Sequence, residues 1–136
     1  MISFFDASAL IYLIEGEEPF ASKLHRELTA VAKKYPNSGV AVSRLTWLEC
    51  RIGPMKRNDS AMLAAFDAFF ARPDLLWVEL TRDVVELAAV IRAKHGLRTP
   101  DALQAASCLQ LGAEHLFLSG DSAFKRVDGL KLLLLS

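Results

Sequence analysis

Asp6 follows the short apolar run "ISFF" and precedes "SALIYLI", while Asp121 sits in "LSGDSAF" behind a second such run. Each reads alone as a turn or helix cap, positions that aspartate favours. In an open α/β sheet, however, ligands bind in the crevice beyond the carboxyl ends of the strands, and both aspartates fall at such ends. Glu49 comes four residues after Leu45 and three before Ile52, beside the apolar stripe of a helix. A glutamate there either runs its stem out to water or has an inward task. Asp101, in "LRTPDALQAA", stands behind Thr99, which can cap a helix, and Pro100, which suits the first helical turn. The helix dipole by itself favours an acid at that place.

Taken together, the four acids can meet at one edge of a sheet. So many carboxylates repel one another unless cations neutralise them or some take up protons, and a shared metal site is the economical explanation. Oxygen ligands without histidine or cysteine suit Mg²⁺ or Mn²⁺ and disfavour zinc. Such a cation can hold a phosphate oxygen, turn a bound water into a nucleophile and stabilise the leaving oxygen, so the implied reaction is phosphodiester hydrolysis. His25, His95 and His115 are scattered, and metal-activated water needs none of them.

The elements that must position these acids follow from hydrophobic period and breakers. Residues 2–5 read as a strand and "SALIYLI" as a helix; Phe20, Leu24, Leu28 and Val31 mark an amphipathic helix from Pro19 to Lys34. "GVAVS" is a strand, after which Ser43 caps a helix through Leu45, Leu48 and Ile52 that Gly53-Pro54 should end. Ser60 to Ala71 is a helix with a bulky buried face, "LLWVEL" a strand, and Thr81 starts a helix that Gly96 closes. The helix carrying Asp101 runs to about Leu111, followed by the strand "HLFLS", a polar turn and a last strand near Leu130 to Leu135. Strands alternating with helices predict an α/β fold with a mainly parallel central sheet and helices on both faces.

A chain of 136 residues supports one domain, read as residues 1–136. Lysine plus arginine and aspartate plus glutamate balance at sixteen each, which argues against coating nucleic acid by bulk charge but allows a local basic patch. Candidates for that patch are Arg44, Arg51, Arg98, Lys125 and Arg126, each of which also reads as an ordinary surface charge. Cys50 and Cys108 lie far apart without metal-ligand spacing, so neither a disulfide scaffold nor a zinc site is expected. The N-terminus lacks the features of a signal peptide and the C-terminal leucine run is too short to cross a bilayer, so no membrane association and a cytoplasmic location are expected.

The blocks "FFDASALIYL", "SRLTWLECRIG", "LRTPDALQAASCLQLGA" and "FLSGDSAFKRVDGLKLL" resemble, in order and spacing, the PIN-domain ribonucleases, and within them the VapC-type toxins of toxin–antitoxin pairs. The resemblance spans nearly the whole chain. Carried over position by position, the family's acidic metal-binding residues fall on Asp6, Glu49, Asp101 and Asp121, and its small hydroxyl positions on Ser8 and Ser119. It implies a three-layer α/β/α fold and a Mg²⁺- or Mn²⁺-dependent endoribonuclease, commonly a homodimer. It also implies a cognate antitoxin whose C-terminal segment fills the active-site groove, with operator DNA reached only through that antitoxin. One departure is that the last block often reads threonine, asparagine, aspartate, whereas here it reads Ser119-Gly120-Asp121.

Surfaces for a dimer or antitoxin contact are offered by the apolar helices from Phe20 to Val31 and from Ser60 to Phe70, whose residues core packing also explains. Rival readings are a housekeeping RNA-processing PIN nuclease, a non-catalytic binding module, and phosphoryl transfer through Asp6. The last needs a nucleophilic aspartate in a setting that "DASA", with no second aspartate two residues on, does not supply.

Overall fold

The computed structural model describes residues 1–136. Alternation of side chains along the strands decides the layering, because successive residues of a strand point to opposite faces of the sheet. Phe4, Ala41 and Phe117 face one side, Phe5, Val42 and Leu118 the other, and each set nucleates its own buried cluster. The strands are β1 (Ile2–Phe5), β2 (Gly39–Ser43), β3 (Leu75–Val78), β4 (His115–Ser119) and β5 (Leu132–Leu134). They form one five-stranded sheet in the order β3-β2-β1-β4-β5, and every neighbouring pair is parallel. Strands buried on both faces account for their near-continuous apolar character.

Helices α5 (Arg82–His95) and α6 (Thr99–Gln110) cover the first face through Val84, Ala88, Ile91, Ala102 and Ala105. The second face is covered by α1 (Ala7–Glu15), α2 (Phe20–Lys34), α3 (Arg44–Lys56) and α4 (Ser60–Phe70), which contribute Leu10, Leu24, Cys50 and Phe66. This is the expected α/β/α sandwich. Phe4 stacks on Phe117 with centroids 5.4 Å apart, tying the two central strands together within the core. Both cysteines are free and buried, and no helix is long and apolar enough to cross a membrane.

Local signals explain most element ends. Ser43 and Thr81 accept hydrogen bonds from the backbone N–H groups of Thr46 and Val84, and Gly96 closes α5 in the left-handed conformation at φ 69°. Two expectations need correction. Pro54 does not stop α3, which runs on to Lys56. The proline lies in the final turn, so its missing N–H interrupts the ladder only where the helix is already ending. Thr99 is not the cap of α6. The helix begins one residue earlier than expected, Arg98 holds the extended cap position, and no side chain caps it. Asp101 is thus the third helical residue.

Candidate active site

β1 lies at the centre of the sheet, and the chain leaves it on one side for β2 and returns on the other as β4. The carboxyl ends of these strands therefore flank the point where strand order reverses, the place at which open α/β sheets bind ligands. Asp6 is the first residue beyond β1. Its Oδ1 accepts the Ala9 N–H at 2.9 Å, capping α1, and the Ser8 hydroxyl at 2.7 Å. Its Oδ2 accepts the Ser119 hydroxyl at 2.5 Å. Ser8 Oγ in turn accepts the Gly120 N–H, and Ser119 Oγ the Asp121 N–H, both at 3.0 Å. The two serines thus lock the Asp6 carboxylate between the ends of β1 and β4. Asp6 is only 6% exposed. Burial pushes its pKa up to about 6; the Ser119, Ala9 and Ser8 donors oppose that rise and the charge of Glu49 adds to it.

Glu49 is half-buried on α3. Its Oε1 accepts the Gln104 side-chain N–H at 3.2 Å. Burial raises its pKa, Gln104 opposes, the charge of Asp101 adds to the rise and Arg98 opposes it. Gln104 itself is buried on α6, accepts the Ser43 hydroxyl at 2.8 Å and donates to Thr46 Oγ1 at 3.0 Å. Thr46 also reaches the carbonyl of Phe5, the residue before Asp6, at 3.2 Å. One amide therefore couples the helix of Asp101, the helix of Glu49 and the end of β1. Sequence reasoning missed Gln104. The available signal was an amide three residues after Asp101, on a face otherwise made of Ala102, Ala105, Ala106 and Cys108.

Asp101 projects from the N-terminal turn of α6, where Arg98 Nε–H donates to its Oδ2 at 3.2 Å. Asp121 caps the 3₁₀ turn Ser122–Arg126 by accepting the Ala123 N–H at 2.9 Å. All four acids line one cleft of about 170 Å³, together with Ser8, Arg98 and Gln104. Two larger hollows, about 410 Å³ along α2 and about 320 Å³ between α5 and α6, contain no acid, so volume does not select the chemically interesting one.

Only oxygen ligands come from the acids of this cleft, and Asp6 and Glu49 sit above their ordinary range, chiefly through burial and to a smaller extent through repulsion from a neighbouring acid, Glu49 for the first and Asp101 for the second. A divalent hard cation relieves that repulsion, so the ligand chemistry fits Mg²⁺ or Mn²⁺. As arranged, no three acidic side chains converge closely enough to hold an ion. Asp101 is engaged by Arg98 and Glu49 by Gln104.

The structure also sorts the basic candidates. Arg44 pairs with Glu79 at 2.7 Å and lies 4.1 Å over the Trp77 ring, Arg51 pairs with Asp67, and Arg98 alone lines the cleft. Lys125 and Arg126 are exposed on the turn after Asp121. His115 starts β4 at the end of the sheet opposite the acids. Its Nε2 accepts the Lys131 N–H at 3.1 Å and its Nδ1 contacts the Ala113 carbonyl, which removes it as a base.

Gly120 has a physical cause: a Cβ there would stand 2.5 Å from the Tyr12 hydroxyl, and Tyr12 is itself stacked on Phe20 at 4.5 Å. The tyrosine occupies the space that a larger side chain between Ser119 and Asp121 needs. Core packing, one of the two readings of the apolar helices α2 and α4, accounts for their largest side chains. In α2 and α4 the large groups Leu24, Phe66, Phe69 and Phe70 are taken up by the core. On α3 it is Leu48, Ile52 and Met55, one helical stripe, that face outward at 43–56% exposure, beside Trp47. The inner face of that helix belongs instead to Thr46, Cys50 and Pro54.

No curated protein sequence matches the chain. Among solved structures it is similar to VapBC2 from Rickettsia felis bound to a promoter DNA fragment, with 18% identity, a TM-score of 0.78 and all of both chains covered. Similar too is DNA-bound VapBC from Salmonella typhimurium, with 17% identity, a TM-score of 0.74 and 100% and 99% coverage. VapBC-1 from nontypeable Haemophilus influenzae follows with 19% identity, a TM-score of 0.73 and 99% and 98% coverage. At such identities these likenesses establish the fold. The PIN domain model matches residues 3–130, which is nearly the entire sequence, and the chain belongs to the PIN-domain family.

Proposed function

We propose that this chain is a divalent-metal-dependent endoribonuclease that acts as the toxin of a toxin–antitoxin pair. The observation that carries the nuclease reading is the gathering of Asp6, Glu49, Asp101 and Asp121 on one cleft at the carboxyl ends of β1 and β4. In this reading Asp6, Glu49 and Asp101 hold one or two Mg²⁺ or Mn²⁺, and Asp121 helps to place metal or the attacking water. When bound, the cation supplies an activated water and neutralises charge on the phosphate and leaving oxygen. The remaining work belongs to the chain. Ser8 and Ser119 fix the Asp6 carboxylate in one orientation, Gln104 holds Glu49 at the cleft wall, and the packed elements bring the four acids to one cleft before substrate arrives. Hydrolysis leaves a 5′-phosphate.

The toxin reading is supported by relatives of the same fold whose structures are VapBC assemblies, two of them bound to DNA. It assigns this chain a cognate antitoxin, contact with operator DNA only through that antitoxin, and a homodimeric state. The outward stripe on α3 supports a protein-covered face, because exposed apolar stripes of this kind mark interaction surfaces. The test is controlled expression in cells with mapping of RNA ends beside an Asp6→Asn control. Discrete cuts bearing 5′-phosphates that vanish in the control support the reading, and identical RNA profiles in both overturn it.

A further inference from the structure

Arg98 is the one basic side chain that lines the acidic cleft. Its own side chain is 78% exposed, whereas the Asp101 side chain it binds at 3.2 Å is only 15% exposed. The backbone beneath it is anchored: Leu97 is buried, and its carbonyl accepts a hydrogen bond from Arg92 at 2.6 Å. The arginine can therefore swing on a fixed hinge without disturbing the core. It lends the cleft a positive charge that reaches Glu49 as well as Asp101. Exposed ion pairs of this geometry are weak, so a stronger cation can displace the arginine. Once free, a guanidinium at the cleft wall has the planar donor set that grips a phosphate in two places.

Resting on the nuclease reading above, we propose that Arg98 is an internal counter-ion that competes with the divalent cation for Asp101 and, when displaced, positions a phosphate of the bound RNA. Cation loading and substrate engagement are then coupled through one side chain. Metal binding converts Arg98 from a plug on the acids into a phosphate clamp beside them.

Calorimetric titration of Mg²⁺ and Mn²⁺ into wild type, Arg98→Gln and Arg98→Lys tests the competition. The glutamine variant should bind the cation about 1.4- to five-fold more tightly, the range expected for loss of an exposed ion pair. The lysine variant, which keeps the charge, should fall between it and wild type. In the wild type, the ¹⁵N resonance of Arg98 Nε should move during the Mg²⁺ titration with the half-saturation found by calorimetry. The salt dependence of KM for single-stranded RNA should become shallower by about 0.7 in a log–log plot for Arg98→Gln, the slope of one phosphate contact. Equal cation affinity in wild type and Arg98→Gln overturns the competition, and an unchanged salt slope overturns the phosphate role. Wild-type protein that binds neither cation sinks the nuclease reading along with this one. Binding that is indifferent to Arg98 sinks this one alone.

Discussion

Replacing Asp6 by asparagine should stabilise the metal-free protein at neutral pH. The Asp6 carboxylate is buried, and its pKa stands at about 6 instead of the ordinary 3.8. That displacement corresponds to about 3 kcal/mol. The direction follows from proton counting. Below about pH 4 the carboxyl is protonated in both folded and unfolded chains, and between about pH 4 and 6 the folded chain holds the proton more tightly, so stability falls as pH rises. Above pH 6 the whole penalty is present. Asparagine is neutral throughout and keeps an oxygen for Ser8 and the Ala9 N–H, but its amide must replace the oxygen facing Ser119. That exchange takes back about 1 kcal/mol.

The expected gain at pH 7.5 is therefore about 2 kcal/mol, or roughly 4–8 °C in Tm for a domain of this size. At pH 4 the gain disappears, and the variant is equal to or less stable than wild type. Urea melts of both proteins in chelator at the two pH values measure this difference directly. Adding Mn²⁺ at pH 7.5 should then stabilise wild type, by an amount that grows with the cation concentration, and leave Asp6→Asn unmoved. A stability difference between the two proteins that is the same at pH 4 and pH 7.5 refutes the electrostatic account of Asp6.

Three other perturbations probe the surroundings. Gln104→Leu removes the amide partner of the Ser43 and Thr46 hydroxyls, leaving them the Thr46 N–H and the Phe5 carbonyl, and frees Glu49. Denaturant melts should show a loss of about 1–3 kcal/mol, and calorimetry a weaker cation affinity; unchanged affinity removes the positioning role. Gly120→Ala should lower stability by about 1–3 kcal/mol through overpacking against Tyr12. Pairing it with Tyr12→Leu should restore part of that loss, and strict additivity of the two changes refutes the steric explanation. Ile52→Asp puts a charge on the outward stripe of α3. Light scattering should show a weakened homodimer or a lost antitoxin complex with the melting temperature preserved, and unchanged assembly in both assays dismisses the stripe as an interface.

The layering was legible in the sequence because strand alternation and helical period are local properties of the chain. "ISFF", "GVAVS" and "HLFLS" became the three central strands, and Asp6 and Asp121 fell at strand ends for that reason. What escaped was set by contacts between distant segments. Gln104 resembles any helical glutamine until α6 is packed against α3, 55 residues away at Glu49. The Leu45, Leu48, Ile52 spacing correctly marks a helical stripe but does not say which way it faces. Thr46 and Cys50, smaller and less apolar, are the residues that fit beneath α3 against the sheet. Gly120 reads as an ordinary turn residue until Tyr12, more than a hundred positions earlier, is found above it.

The central claim, that four acids from separate elements form one metal-dependent nuclease site, is tested most directly by RNA cleavage with the purified, antitoxin-free chain. The account predicts cleavage with Mg²⁺ or Mn²⁺ that chelator abolishes, and a fall of at least about a hundredfold in Asp6→Asn and Asp101→Asn, the scale on which removing a group that stabilises the transition state acts. Cleavage that persists in chelator and survives both substitutions contradicts it.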